Sequence, residues 1–125
     1  MGRAFALLLP YPPVSGNHAT KHTRSRRHYT TDTAREYANA VAEEAHRVGM
    51  AGLKLQGPLR VIYRAHPPDL RERDSCNVMK ISKDAITGAN VWVNDSNRVL
   101  TREEFEWHHV TPDGLLSVWI EELTG

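Results

Sequence analysis

The chain has 125 residues, of which 40% are hydrophobic and 25% charged, and its formal net charge is +1. This length is enough for one domain with a real core and too short for two. The apolar run Ala4–Leu9 is too short to cross a bilayer, and a single cysteine excludes an internal disulfide framework. We therefore expect a single domain over residues 1–125, without a membrane partner, in a reducing cytoplasmic setting.

The charge is distributed unevenly along the chain. Before Asp32 there is no acid, whereas the last quarter is mainly acidic. The basic side chains of the first segment are Arg3, Lys21, Arg24, Arg26 and Arg27. A local basic segment on a nearly neutral protein indicates an anionic partner such as a phosphate backbone, and a solvated loop is the alternative interpretation.

The first half of the chain predicts a strand, a loop and a helix. Arg3 to Leu9 is short, apolar and followed by prolines, which is typical of a buried strand. Residues 10–30 begin with prolines and continue as a basic stretch, so they are predicted to form a stiff turn and a loop. A helix is predicted from an N-cap at Thr31 or Asp32 to Gly49, because apolar residues recur there at helical spacing.

The second half predicts more strands and one further helix. The helix is expected over about Ser75 to Thr87, ended by Gly88, and a short buried element containing Trp92 is expected to position Asp95. The predicted strands are Pro58 to Ala65, Val99 to Val110 and Leu115 to Glu122, with hairpin chemistry at Thr111 to Gly114. This order predicts an α+β, or mixed α/β, domain with one sheet and two helices.

The start of the second helix carries residues suited to phosphodiester chemistry. Asp74 precedes the helix, and Cys76, Asn77, Lys80 and Asp84 share one helical face through steps of three and four residues. With Asp95, these acids and the lysine have the composition needed to hold a divalent cation against a phosphate. In the alternative interpretation, Asp74 caps the helix, Lys80 and Asp84 form a surface ion pair, and Asp95 closes a turn.

The sequence resembles the RusA family of Holliday-junction resolvases through most of its length. The resemblance begins at Leu9-Pro-Tyr-Pro-Pro13 and Asn17, continues through Arg35-Glu-Tyr37, and is strongest from Arg71 to Val99. The matching motifs there are Arg71 and Arg73, Asp74-Ser-Cys-Asn-Val-Met-Lys80, Asp84-Ala-Ile-Thr-Gly88 and Trp92-Val-Asn-Asp95. Because so many positions match in one order, the resemblance is specific.

The resemblance implies a RusA-like homodimer that resolves four-way DNA junctions by metal-dependent phosphodiester hydrolysis. Asp74 and Asp95 match metal-binding carboxylates, Lys80 matches the catalytic lysine, and Asn77 matches the asparagine beside the acids. Residues 71–99 are therefore the expected catalytic segment, with Mg²⁺ as the cofactor and Mn²⁺ as the alternative. The residues expected to contact DNA are Lys21, Arg24, Arg26, Arg27, Arg71 and Arg73.

Cys76 stands where the family has a third carboxylate. A thiol is a poor ligand for Mg²⁺, which prefers oxygen. The site therefore either holds its metal more weakly through Asp74, Asp95, water and DNA phosphate, or recruits another acid from the set Asp69, Glu72 and Asp84. The third alternative is a junction-binding protein with weakened or absent catalysis. A plain interaction module, whose charges are only surface charge, is a further alternative.

His108 and His109 are adjacent within a predicted strand. Successive strand residues point to opposite faces. We therefore predict that these two histidines do not share a metal ion.

Overall fold

The computed structural model describes the backbone of residues 2–13 and 23–123, and the side chains of residues 2–13 and 32–123. The elements are β1 (Ala4–Leu9), α1 (Thr23–Arg47), β2 (Leu59–His66), α2 (Ser75–Gly88), β3 (Leu100–Trp107) and β4 (Leu115–Glu122). They form one small domain with a mixed four-stranded sheet and two helices, which confirms the predicted fold class. Within the described residues, no helix is long and apolar enough to cross a membrane.

The sheet has the strand order β1-β4-β2-β3. β4 is antiparallel to both β1 and β2, whereas β3 is parallel to β2 because α2 connects these two strands. Tyr63, in the middle of β2, is thus opposite Val118 on one side and Phe105 on the other.

The prediction of a hairpin between the last two strands is wrong, because β2 lies between β3 and β4. The turn itself forms, and Gly114 N donates to Thr111 O at 2.8 Å. Residues 108–114 instead cross the end of β2, where His108 N donates to Ala65 O at 2.8 Å. Turn residues specify that the chain reverses, but the partner of each strand is set by pairing across the whole sheet.

One face of the sheet packs on both helices. From β2, Leu59, Val61, Tyr63 and Ala65 are buried in the core at every second position. The helices contribute Tyr37, Val41 and Ala45 from α1, and Val78, Ala85 and Ile86 from α2. Those from α1 recur at steps of four, and those from α2 at steps of seven and eight, as a helix with one buried face requires.

The opposite face of the sheet is rich in charge. Arg60 donates to Glu104 at 2.7 Å and also lies 3.5 Å from Glu121. Arg64 similarly donates to Glu106 at 3.1 Å. Cross-strand ion pairs therefore link β2 to β3 and β4 on this face.

Helix α1 begins at Thr23, earlier than the predicted N-cap at Thr31 or Asp32. Residues 23–30 are thus helical, which corrects the prediction that the basic loop continues to residue 30. The prediction was based on charge, yet this stretch contains no proline or glycine that would stop a helix. The other end is as predicted, since the helix ends at Arg47 and Gly49 follows with a φ of +79°.

Candidate active site on helix α2

Asp74 is the N-cap of α2. Its backbone is extended, with φ −101° and ψ 118°, and its Oδ1 accepts a hydrogen bond from the amide of Cys76. The N-terminal end of a helix stabilises a carboxylate through its unpaired amides and its dipole. The second oxygen, Oδ2, accepts no hydrogen bond from any residue that the structure describes. Asp74 therefore caps the helix with one oxygen and presents the other to solvent.

The predicted face of α2 is exposed. Cys76, Asn77, Lys80 and Asp84 are all accessible to solvent. The ammonium of Lys80 lies 3.8 Å from Asp84 Oδ2, and the Lys80 side chain is 76% exposed. An ion pair this open and this long is weak, so Lys80 is free to take another anionic partner.

Asp95 lies in the loop between α2 and β3. The loop is fixed on one side by Trp92, which is fully buried and donates from Nε1 to Thr87 Oγ1 at 2.7 Å. It is fixed on the other side by a turn in which Asn94 Oδ1 accepts from Ser96 N at 3.0 Å. Asp95 itself is exposed, and its carboxylate accepts no hydrogen bond within the described part of the chain.

A polar network beside Asp95 was missed in the sequence. The hydroxyl of Tyr63 donates to Glu103 Oε2 at 2.8 Å, and Lys83 Nζ donates to Glu103 Oε1 at 3.2 Å. Burial, and then the negative charges of Glu103 and Asp95, raise the pKa of Tyr63. The available signal was the spacing on β3, since Glu103 is two residues before the apolar Phe105 and therefore lies on the same, helix-covered face.

The two arginines before Asp74 have different environments. Arg73 is only 14% exposed and lies 2.7 Å from Asp69 Oδ1, and it also donates to the carbonyls of Asp69 and Arg71. Arg71 is 63% exposed. Hydrogen bonds from the Arg71 amide and the Arg73 side chain lower the pKa of Asp69 to about 2. Arg73 thus holds the segment together, while Arg71 retains an accessible charge.

The basic residues near the N-terminus are only partly described. Lys21 lies outside the described residues, and Arg24, Arg26 and Arg27 lie in the first turns of α1, where the structure describes the backbone alone. Their expected contact with DNA remains a prediction.

Of the three acids that might replace the missing carboxylate, two are poorly placed. Asp69 is already bound by both arginines. Asp84 lies ten positions beyond Asp74, which corresponds to about 15 Å along the helix axis. Glu72 is exposed and close in sequence. No group of three His, Cys, Asp or Glu side chains among the described residues is arranged to hold a metal ion.

The fold and this helix define a small α+β protein whose candidate site combines a capping aspartate, an exposed lysine and a second aspartate from the following loop. The family model for Endodeoxyribonuclease RusA matches residues 10–112. The chain belongs to the RusA endodeoxyribonuclease family, and the resemblance found in the sequence is confirmed.

Similar proteins come from bacteria and from a phage. The chain is 33% identical over 95 residues to a crossover junction endodeoxyribonuclease of Escherichia coli strain K12, covering 76% of this chain and 77% of the relative. It is 34% identical, with the same coverage, to the protein of that name from Enterobacteria phage 82. A relative from Escherichia coli O139:H28 is 30% identical over 119 residues, which is 95% of each chain.

Proposed function

We propose that this chain is a crossover junction endodeoxyribonuclease that cuts four-way DNA junctions by metal-dependent phosphodiester hydrolysis. Its membership of the family carries this proposal, because the match over residues 10–112 includes every candidate site residue on and after α2. The relatives in bacteria and a phage suggest that it acts in the cytoplasm of a bacterial or phage-infected cell.

The donor set fits a hard divalent cation. Asp74 Oδ2 and the carboxylate of Asp95 are both accessible and without hydrogen bonds from the described residues. Mg²⁺ typically takes one or two protein carboxylates and completes its octahedron with water and substrate phosphate. Two aspartates that share one ion would be enough to bind it, although Cys76 in place of an acid lowers the expected affinity.

The path of the chain allows the two aspartates to approach each other. Helix α2 has 14 residues, which corresponds to about 21 Å. The seven residues from Ala89 to Asp95 reach about 23 Å when extended. The hydrogen bond from Trp92 to Thr87 turns this segment back beside the last turn of α2. The approach of Asp95 to Asp74 at the other end of α2 is part of this proposal.

Each residue has a distinct role in the proposed mechanism. A Mg²⁺ or Mn²⁺ ion, when bound, would supply Lewis-acid activation of water and charge stabilisation at the phosphate. Asp74 and Asp95 would hold this cation, and Asn77, one turn along from Asp74, would orient the nearby oxygen donors. Lys80 leaves Asp84 and donates to the phosphate, where it neutralises the charge that develops in the transition state.

DNA binding is proposed to depend on phosphate contacts rather than on base reading. Arg71 borders the proposed cleavage site, and Lys21, Arg24, Arg26 and Arg27 provide further positive charge. Such contacts position a protein on DNA without sequence preference. Two symmetrical cuts in one junction require two equivalent sites, so we propose that the active form is a homodimer with two-fold symmetry.

A second candidate function is junction binding with little or no cleavage. The observation that favours it is Cys76, which is exposed on the proposed catalytic face in place of a carboxylate. In this alternative the fold and the DNA contacts are retained, but the metal site is too weak for efficient chemistry.

The proposal is tested with a labelled synthetic four-way junction, incubated with the purified chain and Mg²⁺ or Mn²⁺ under single-turnover conditions. We expect paired nicks that EDTA abolishes. Asp95→Asn should lower the cleavage rate by roughly 10³-fold, since it removes a charged metal ligand, while junction binding persists.

The matched control is Asp113→Asn. Asp113 is exposed in the loop before β4 and has a φ of 65° that asparagine also adopts readily. This variant should cut at the parent rate. If Asp95→Asn also cuts at the parent rate, the proposed metal site is wrong. A retarded junction complex without nicks would support the second candidate function instead.

A further inference from the structure

A groove lies between two segments that follow neighbouring strands. One wall is residues 67–73 after β2, and the other is residues 107–110 at the end of β3. The groove has a volume of about 460 Å³, which is within the range of small-molecule sites. Its walls are joined at the backbone, since His108 N donates to Ala65 O at 2.8 Å and Thr111 N donates to Pro67 O at 3.0 Å. Backbone hydrogen bonds at the ends of β2 and β3 therefore hold the two walls of the groove together.

One wall of the groove is aromatic. Trp107 is 45% exposed, and its ring is held edge-on by Phe105 at a centroid distance of 4.8 Å. The ring of His66 lies 5.1 Å from that of His108 and 4.7 Å from that of His109. An accessible indole whose orientation is fixed is a suitable platform on which a nucleobase can stack.

These histidine contacts also correct a sequence argument. His108 and His109 follow the end of β3 rather than lying within a strand, and both rings contact His66. His108 Nε2 is 2.9 Å from Glu106 Oε1. Even so, these side chains form no metal-binding group of three in the described part of the molecule. The three rings form an aromatic and polar cluster beside the groove.

The opposite wall carries an accessible cation. Arg71 lines the groove and is 63% exposed. Its amide donates to Asp69 Oδ1 at 3.0 Å, and its guanidinium forms an exposed ion pair with Asp69 Oδ2 at 3.3 Å, which a phosphate can replace. Arg73 also lines the groove, but its charge is taken up by Asp69. Glu72 is a lining acid with no ion pair among the described residues, so it restricts where an anion can bind. Arg71 is thus the contact available to a phosphate.

The most exposed large apolar side chain of the described residues is Leu70, at 91%. It lines the same groove and lies next to Arg71. Proteins that unstack DNA commonly insert an apolar side chain of this kind between bases. Leu70 lies four residues before Asp74, and packing within the described part of the chain does not explain its exposure.

We propose that this groove binds one unpaired nucleotide at the branch point of the DNA substrate. The base stacks on Trp107, its phosphate contacts Arg71, and Leu70 packs against the neighbouring base pair. This inference rests on the proposed function, because it takes DNA with an open branch point as the substrate. A nucleotide bound in the groove favours binding of the protein to junctions over binding to fully paired duplex DNA.

The first test follows tryptophan fluorescence as a short oligothymidine is added. We expect quenching, since a stacked base quenches the indole, and we expect Trp107→Phe to abolish it. Trp92 is fully buried and should not respond. The matched control is Trp119→Phe, which alters a partly exposed tryptophan on the other face of the sheet and should leave the quenching intact. Quenching that survives Trp107→Phe overturns the proposal.

The second test compares affinity for a four-way junction and for a duplex of the same sequence, in EDTA. Trp107→Ala and Leu70→Ser should each weaken junction binding by about tenfold, the scale of one lost base stack, and leave duplex binding unchanged. Leu8→Ser is the control, because Leu8 is 55% exposed on β1 and away from the groove. Equal losses for junction and duplex, or no loss for either, overturn the proposal.

Two further outcomes separate this inference from the proposed function. If both variants bind and cut junctions as the parent does, the groove has no such role and the nuclease proposal stands. If the parent prefers junctions and the variants lose that preference, yet no metal supports cutting, the groove proposal stands and the catalytic proposal fails. A change from dimer to monomer in sedimentation of the variants would identify the groove as a contact between copies and overturn the nucleotide site.

Discussion

The hydroxyl of Tyr63 donates a hydrogen bond to Glu103 Oε2 at 2.8 Å, and Lys83 donates to the other oxygen of the same carboxylate. Glu103 therefore connects the central strand β2 to helix α2. This pairing satisfies a polar group on the covered face of the sheet, where an unpaired one would be costly. It also lies beside Asp95, whose charge contributes to the raised pKa of Tyr63.

Because Tyr63 and Lys83 share one partner, we expect their effects on stability to be coupled. Tyr63→Phe should lower the free energy of unfolding by about 1 kcal/mol, the usual contribution of one hydrogen bond. Lys83→Met should lower it too, and the double variant should deviate from additivity by more than about 0.5 kcal/mol. Urea denaturation of the four proteins measures this coupling, and strictly additive values would contradict the shared network.

Restoring a carboxylate at position 76 should increase cleavage. Cys76 is exposed on the same face of α2 as Lys80, so Cys76→Asp adds an oxygen ligand beside Asp74 without disturbing the core. We expect junction cleavage at least about tenfold faster, the effect of roughly 1.4 kcal/mol on the barrier. The cation concentration for half-maximal rate should also fall.

The control for this gain is Ser75→Asp, which adds the same charge to the same helical turn one residue earlier. Both variants should stabilise α2 similarly through the helix dipole. Only the variant at position 76 should cleave faster. Equal gains for the two variants would indicate a general electrostatic effect, and no gain at position 76 would mean that the missing carboxylate does not limit the rate.

Asp69 should titrate at an unusually low pH. Its pKa is lowered from 3.8 to about 2 by the Arg71 amide and the Arg73 side chain. Because the pKa of Asp69 is lower in the folded than in the unfolded chain, its ion pairs stabilise the fold at pH values above about 4. This stabilisation is lost as the pH falls toward 2. Carboxyl NMR shifts should give this midpoint. Arg73→Ala should raise it more than Arg71→Ala, which keeps the backbone amide; the reverse order would contradict the assigned causes.

Junction affinity should fall steeply with salt, and the basic positions of α1 should account for part of the slope. Positions 24 and 27 are three apart in a helix and lie on one side of it, whereas position 26 lies on the other. Replacing Arg24 and Arg27 together by Ala should reduce the slope of log K against log salt by about 1.8, the value for two lost phosphate contacts. An unchanged slope would exclude these residues from the DNA interface.

Arg26→Ala serves as the comparison for that pair, since it removes one arginine charge from the opposite side of the helix. It should change the slope by less than half as much as the paired variant. Equal effects per arginine would indicate that the charge acts diffusely and not through direct phosphate contacts.

The elements that the sequence predicts well are those set by local chemistry. The capping position of Asp74 and the strand alternation of Leu59, Val61 and Tyr63 confirm this. Helix α1 begins earlier than the sequence predicts, because a run of basic residues resembles a loop in composition but charge alone does not stop a helix. The partner of β3 depends on long-range pairing, which turn residues at positions 111–114 do not specify.

The sequence predicts the environment of a site residue only where local helical periodicity determines it. The exposure of Asn77, Lys80 and Asp84 follows from helical periodicity, so the sequence was sufficient. The different environments of Arg71 and Arg73 depend on how the chain folds back on Asp69, which composition does not reveal. The groove at Trp107 forms between two segments 40 residues apart in sequence, and neither segment alone has a sequence pattern that predicts it.

The amide of Cys76 donates to the same carboxylate that is proposed to hold the cation. A cation bound to Asp74 competes with the Cys76 amide for the electron density of this carboxylate, so we expect cation binding to weaken the hydrogen bond. The rate at which that single amide proton exchanges with deuterium in the solvent is therefore a site-specific record of occupancy, readable on the intact protein without substrate and without a single turnover.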